Sequence, residues 1–213
     1  MQFALAPGTY ITLIEGDVVL LDARADRYAC LAACHAGPLR AGYPARRWKD
    51  GPLVRELAGS GYLVAASAIA PAMPEAPSPP ETDLYMLGGD RPDIRPSDLC
   101  LGALAGLSAA WQLAVERPMH WLRPNGHDMS NTDRIVDEAR RFAEVHLYLP
   151  RLARCLPHSL ALNAFLQRRE CPSQLVFGVR THPFEAHCWV QSGAVVLNDT
   201  LSHVRWYTPI AWN

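Results

Sequence analysis

Three side chains in the second half of the sequence have the types and the order that thiol acyl-transfer chemistry needs. Cys155 opens an apolar, helix-patterned run, Cys155-Leu156-Pro157-His158-Ser159-Leu160-Ala161-Leu162. His187 lies in the strand-like run Pro183-Phe184-Glu185-Ala186-His187-Cys188-Trp189-Val190, and Asp199 closes the next, Ala194-Val195-Val196-Leu197-Asn198-Asp199. A thiol nucleophile, an imidazole base and a carboxylate that orients the base suffice for attack on a carbonyl. An ordinary thiol, with a pKa of ~8.5, is mostly protonated at neutral pH and depends on its surroundings to ionise. Pro157 is tolerated only in a first turn, so a helix begins near residue 156 or 157 and Cys155 sits at its N-terminal mouth. There the helix dipole and unpaired amides favour a thiolate. The backbone amide of Cys155 is the candidate for one donor of an oxyanion hole; the second donor is not assigned.

The elements that position these groups follow from the local patterns. A helix is expected from about Cys155 to Arg169, then strands over 174–179, 185–190 and 194–198. A three-residue loop, Gln191-Ser192-Gly193, pairs Val190 with Ala194 and sets Asp199 diagonally beside His187 on one sheet face. A two-residue loop sets Asn198 there instead; Asp199 is favoured and Asn198 is the alternative. Upstream, 97–116 and 132–149 read as helices, the second with Thr132 as N-cap and Pro150 beyond its end. Helices followed by an antiparallel sheet make an α+β arrangement. Other reactive residues carry weaker signals. Cys30-Leu31-Ala32-Ala33-Cys34-His35 lacks a fourth zinc ligand, so no metal is expected. Cys171 and Cys188 read as core or peripheral thiols, and His158, near Cys155 but one turn into the helix, as a surface residue in preference to a second base.

The whole chain sets the frame. Its 213 residues are 49% apolar and 19% charged with net charge −1, a soluble composition with no field to recruit nucleic acid. Five prolines between Pro71 and Pro80 interrupt any helix or central strand, so a linker is expected over 71–82, between domains at 1–70 and 83–213. In the first domain, Tyr10-Ile11-Thr12-Leu13-Ile14 and Val18-Val19-Leu20-Leu21-Asp22 read as a hairpin around Glu15-Gly16-Asp17. Strands at Arg27-Tyr28-Ala29-Cys30-Leu31 and Tyr62-Leu63-Val64 and a helix over 53–57 complete a small winged-helix-like module. Residues 1–70 carry seven Lys/Arg and six Asp/Glu, which argues against DNA and leaves an exposed sheet edge free to accept a peptide strand. Leu99 to Val115 is uncharged but only mildly apolar, and reads as a buried helix rather than a membrane span. Neither an export signal nor a disulfide spacing is apparent, so six free cysteines and a cytoplasmic location are expected.

Together, the runs beginning at Cys155 and Pro183, with Leu175-Val176-Phe177-Gly178-Val179-Arg180 and Val196-Leu197-Asn198-Asp199, resemble the lasso-peptide B proteins. These are transglutaminase-like cysteine peptidases that remove the leader from a lasso-peptide precursor. The likeness covers about residues 84–213. Val19-Leu20-Leu21-Asp22, Tyr28 and Leu31 resemble the fused leader-recognition element, a winged-helix relative of the PqqD proteins. The resemblance implies Cys155 as nucleophile, His187 as base and Asp199 as orienter, with the leader adding as a strand near Tyr28–Leu31. It implies as partners the precursor peptide and an asparagine-synthetase-like cyclase that uses ATP, with no cofactor intrinsic to this chain. The chain departs from the family at His158, often Arg; at Cys188, often a small residue; and near Glu170 or Cys171, where a Gly is common. Two rival functions are an acyl transferase that forms an amide and a catalytically inert precursor-binding adaptor.

Overall fold

Short apolar runs separated by tight turns dominate the first 66 residues, and they form two three-stranded sheets. The computed structural model describes residues 1–43, 45–66, 76–115, 118–122, 132–149 and 154–213. Residues 71–75 of the proline-rich seam and the expected helix end at Glu116 lie outside these, whereas the helix expected over 132–149 ends at His146. Strands β2 (Thr9–Ile14), β3 (Asp17–Asp22) and β4 (Arg27–Leu31) form an antiparallel meander with β3 central. The β2–β3 turn has two residues, Glu15 and Gly16, at φ 49° and 100°, so it is tighter than the three-residue turn expected. Positive φ at both positions is what a hairpin of this length requires. The second sheet sets β1 (Gln2–Leu5) between β5 (Trp48–Lys49) and β6 (Leu63–Ala65). Helices α1 (Gly37–Gly42) and α2 (Pro52–Gly59) pack against them.

β3 is buried along its whole length, and its two faces serve two cores. Val18 and Leu20 join Phe3, Leu39, Trp48, Val54 and Leu63. Val19 and Leu21 instead join Phe142, Phe165, Phe177 and Val179 from the second half of the chain. A strand covered on both faces reads as a continuous apolar run, as Val18-Val19-Leu20-Leu21 does.

The second half supplies β7 (Thr82–Asp83), α3 (Pro96–Val115), α4 (Pro118–Trp121), α5 (Thr132–His146) and α6 (Cys155–Arg168). Then come β8 (Gln174–Arg180), β9 (Glu185–Ser192), β10 (Val195–Val196), α7 (Leu201–Val204) and β11 (Thr208–Trp212). The five strands lie in the order β11-β8-β9-β10-β7, antiparallel except for the β7–β10 pair. α6 covers one face of β8 and β9 with Leu160, Leu162 and Phe165. On the opposite face Val176, Trp189 and Val196 pack with Val204, Tyr207 and Trp212. The fold is therefore mixed helix and mainly antiparallel sheet, as the sequence pattern implies.

Two expectations require correction. The β9–β10 turn pairs Ser192 with Val195, leaving a two-residue turn, Gly193-Ala194, in place of the three-residue loop. α3 is buried along one stripe only, at Gly102, Ala105 and Ala109; Leu104, Leu107 and Trp111 are exposed. It has the length and hydropathy of a membrane span, and its small residues explain the close packing: a Cβ on Gly102 would clash with Val145.

Candidate active site

α6 begins at Cys155, after an extended Arg154 that places no side chain over the helix end. Pro157 occupies the first turn, and every residue from Ser159 to Leu166 is buried. The nucleophile candidate is thus fixed to a 14-residue helix anchored in the core, with its thiol half-buried at the mouth.

His187 reaches the same point from β9, opposite Gly178 of β8. A Cβ at residue 178 would lie 2.7 Å from the Trp189 ring and 2.8 Å from Tyr207. Glycine there makes room for two rings that pack on the imidazole, with centroids 6.2 Å and 4.9 Å away. Asp199 arrives by leaving the sheet. β10 ends at Val196, Leu197 N still donates to Val190 O at 2.9 Å, and the chain then turns away. Strand parity therefore does not apply to Asp199, although a two-residue turn would favour Asn198 had the strand continued. The Asp199 carboxylate lies 2.5 Å from His187 Nε2, accepts from Thr200 N at 2.7 Å, and meets His203 Nδ1 at 3.0 Å.

Asn198 has another task. Its Oδ1 accepts from Val190 N at 2.8 Å, replacing the ladder partner that β10 no longer offers. Its Nδ2 donates to Ser159 Oγ at 2.8 Å, and Ser159 Oγ donates to Cys188 O at 3.2 Å. This chain of bonds ties α6 to β9 and to the loop carrying Asp199, and so sets Cys155 against His187. Ser159, His203 and Tyr207 were not singled out from the sequence, and Asn198 was weighed there only as the alternative to Asp199. Their types are common in turns and strand ends, and only the departure of the chain after Val196 gives them partners.

The electrostatics of the site are those of an ion pair. The Cys188 thiol and the His187 imidazole, with the Cys188 amide, hold the Cys155 thiol down at about 4 against burial. His187 is pushed up to about 9: burial opposes its charge, but Asp199 and Cys155 outweigh it. Asp199 is held below the usual carboxylate range, since its bonds to His187, Thr200 and His203 overcome burial. Cys188, raised far above the ordinary thiol range chiefly by its hydrogen bond to Cys155 and by burial, stays protonated and donates to its neighbour. With Nε2 occupied by Asp199, Nδ1 is the imidazole nitrogen left for the thiol.

His158 is half-buried rather than a surface residue, stacked on Phe142 at 5.8 Å and His146 at 4.9 Å. Burial and the neighbouring His146 push it down to about 4, so it is neutral where His187 is charged. Among the described residues, His187, Asp199 and His203 form a group whose ligand atoms lie within 4.8 Å of one another. A metal there would compete with the hydrogen bonds that orient His187. Cys30, Cys34 and His35 are exposed and form no such group.

A sequence model of the transglutaminase-like superfamily matches residues 100–211, a little over half of the chain and the whole of the segment that builds this site. The chain belongs to the transglutaminase-like superfamily. A shorter likeness ties it to the microcin J25-processing protein McjB of Escherichia coli, 49% identical over 45 residues. That stretch is 21% of this chain and 22% of McjB, so the two are similar over about a fifth of each. No solved structure matches the chain.

Proposed function

We propose that the chain is a leader peptidase that cuts a lasso-peptide precursor by Cys155 thiol catalysis. The observation that carries this is a half-buried thiol at a helix mouth, paired with an imidazole whose Nε2 a carboxylate holds at 2.5 Å. The likeness to a microcin-processing protein supplies the substrate class. The Cys155 thiolate attacks the scissile carbonyl carbon, and the amides of the helix mouth, Cys155 N–H among them, stabilise the oxyanion. Collapse expels the core amine, which takes its proton from His187 Nδ1, and leaves the leader as a thioester. Neutral His187 then draws a proton from water, hydroxide attacks the thioester, and the leader leaves as an acid while Cys155 regains its starting state. Asp199 holds the ring and stabilises its charge throughout.

In this reading residues 1–70 act as a PqqD-like winged-helix recognition domain joined by 71–82 to a peptidase domain at 83–213. The leader adds as a strand along β4, at Tyr28–Leu31. The position of β4 at the edge of its sheet supports this, because an edge strand has unpaired amides and carbonyls to offer. The freed core passes to an ATP-dependent, asparagine-synthetase-like cyclase in the cytoplasm. The test is to incubate the protein with the precursor and weigh the products. Leader acid and core amine whose masses sum to precursor plus one water are expected. A product joined to an added amine without gain of water would replace hydrolysis by acyl transfer.

A further inference from the structure

The N-terminal strands touch the rim of the active site at two points. Asp17, at the start of β3, meets His182 Nε2 at 2.9 Å. The Tyr28 ring of β4 packs on Phe184, with centroids 5.5 Å apart and planes tilted by 58°. His182 and Phe184 both lie in the turn between β8 and β9, and Phe184 precedes His187 by three residues. Tyr28 also borders the core that Cys155 and Leu156 border. Burial raises its hydroxyl beyond the ordinary range, with Asp26 and the Cys188 and Cys155 thiols adding to the effect. Phe184 is 44% exposed and Tyr28 beside it is half-buried, so the pair presents ring surface to solvent. An open aromatic pair on the turn that leads into His187 offers an apolar wall to a peptide entering there.

We propose that Tyr28 and Phe184 form the wall of a subsite beside Cys155 that selects an apolar side chain of the peptide on the leader side of the scissile bond. This rests on the peptidase reading, and on β4 as the leader's strand partner: a leader running off that edge reaches the thiol past Tyr28. The N-terminal strands then complete the catalytic cleft in addition to recognising a distant leader segment.

The test uses the full chain and two peptidyl chloromethyl ketones too short to add as a strand. One carries an apolar and one an acidic side chain in the leader-side position nearest the reactive carbon. The Cys155 thiolate displaces chloride to give a thioether, so the alkylation rate at Cys155 reports occupancy of the subsite without any cleavage. The native protein is expected to prefer the apolar reagent about tenfold or more, and Tyr28→Ala and Phe184→Ala to lose that preference, with Tyr28→Phe keeping it. Iodoacetamide, too small to need the wall, reports that the thiol is intact in each variant. Because Phe184 lies on an exposed turn, its variant reads the subsite even where Tyr28→Ala unsettles β4. No preference in the native protein, or a preference unchanged in both alanine variants, would overturn the proposal. A native protein that shows the preference yet leaves the precursor uncut would refute the peptidase reading and leave the subsite standing.

Discussion

Replacing His187 with alanine should change the shape of the Cys155 alkylation profile. In the native protein the thiol sits at about 4 because the Cys188 thiol, the His187 imidazole and the Cys188 amide all favour the thiolate over burial. At pH 6.5 such a thiol is almost fully ionised, whereas one at ~8.5 is only ~1% ionised. Lower basicity costs nucleophilicity: with a Brønsted slope of ~0.4–0.5, the native thiolate reacts ~100-fold more slowly than an ordinary one. The two effects cancel near pH 6.5, so a single rate there is uninformative. At pH 5 the native protein should react ~30-fold faster than His187→Ala, and near pH 9 the order should reverse by a similar factor or more. Cys188 still donates in the variant, so these ratios are ceilings. The assay is iodoacetamide labelling from pH 4.5 to 9.5, read by mass on the peptide that contains Cys155, because Cys30, Cys34 and Cys100 are also exposed. A flat native profile above pH ~5.5 and a variant profile that climbs about tenfold per pH unit are expected. A native profile that itself climbs to pH 8.5, or a variant profile identical to the native one, would refute the ion pair.

Three further changes test the surroundings of the pair. Asp199→Asn removes a group that raises His187 towards 9, so the alkaline limb of the cleavage pH profile should move down, with kcat lower by about 10²–10⁴. Gly178→Ala drives a methyl into Trp189 and Tyr207, the rings that pack on His187; it should cost about 1–3 kcal/mol by calorimetry and depress the cleavage rate as the imidazole shifts. Glu170 holds φ 56° just past α6, where Cys171 N donates to Leu166 O and Glu170 N to Gln167 O in a glycine-type helix end; Glu170→Gly should stabilise by about 1 kcal/mol and raise Tm by about 2–4 °C.

The sequence and the structure diverge where tertiary partners, rather than local pattern, decide a residue's place. α6, β8 and β9 were legible because their apolar runs are long and their ends carry Pro157, Arg169 and a turn glycine. β11 was not: Pro209 inside Thr208-Pro209-Ile210-Ala211-Trp212 argues against a strand, yet it is tolerated at a sheet edge beside a register shift. The two-residue strand β7 and the four-residue helix α7 are too short for any period to show. At the site, the types and order of Cys155, His187 and Asp199 were visible, but the strand-parity route from His187 to Asp199 was not the one the chain takes. That route depends on Asn198 ending the ladder, which no local pattern announces. The burial of both faces of β3 was likewise hidden, because a continuous apolar run does not say what covers it.

Whether Cys155 is the nucleophile is decided most directly by single-turnover cleavage of the precursor by the native protein and by Cys155→Ala, each in excess over peptide. Cleavage slower by at least about 10³-fold in the variant, with precursor binding unchanged, is the predicted result. Cleavage within tenfold of the native rate would contradict it and move the chemistry to another residue.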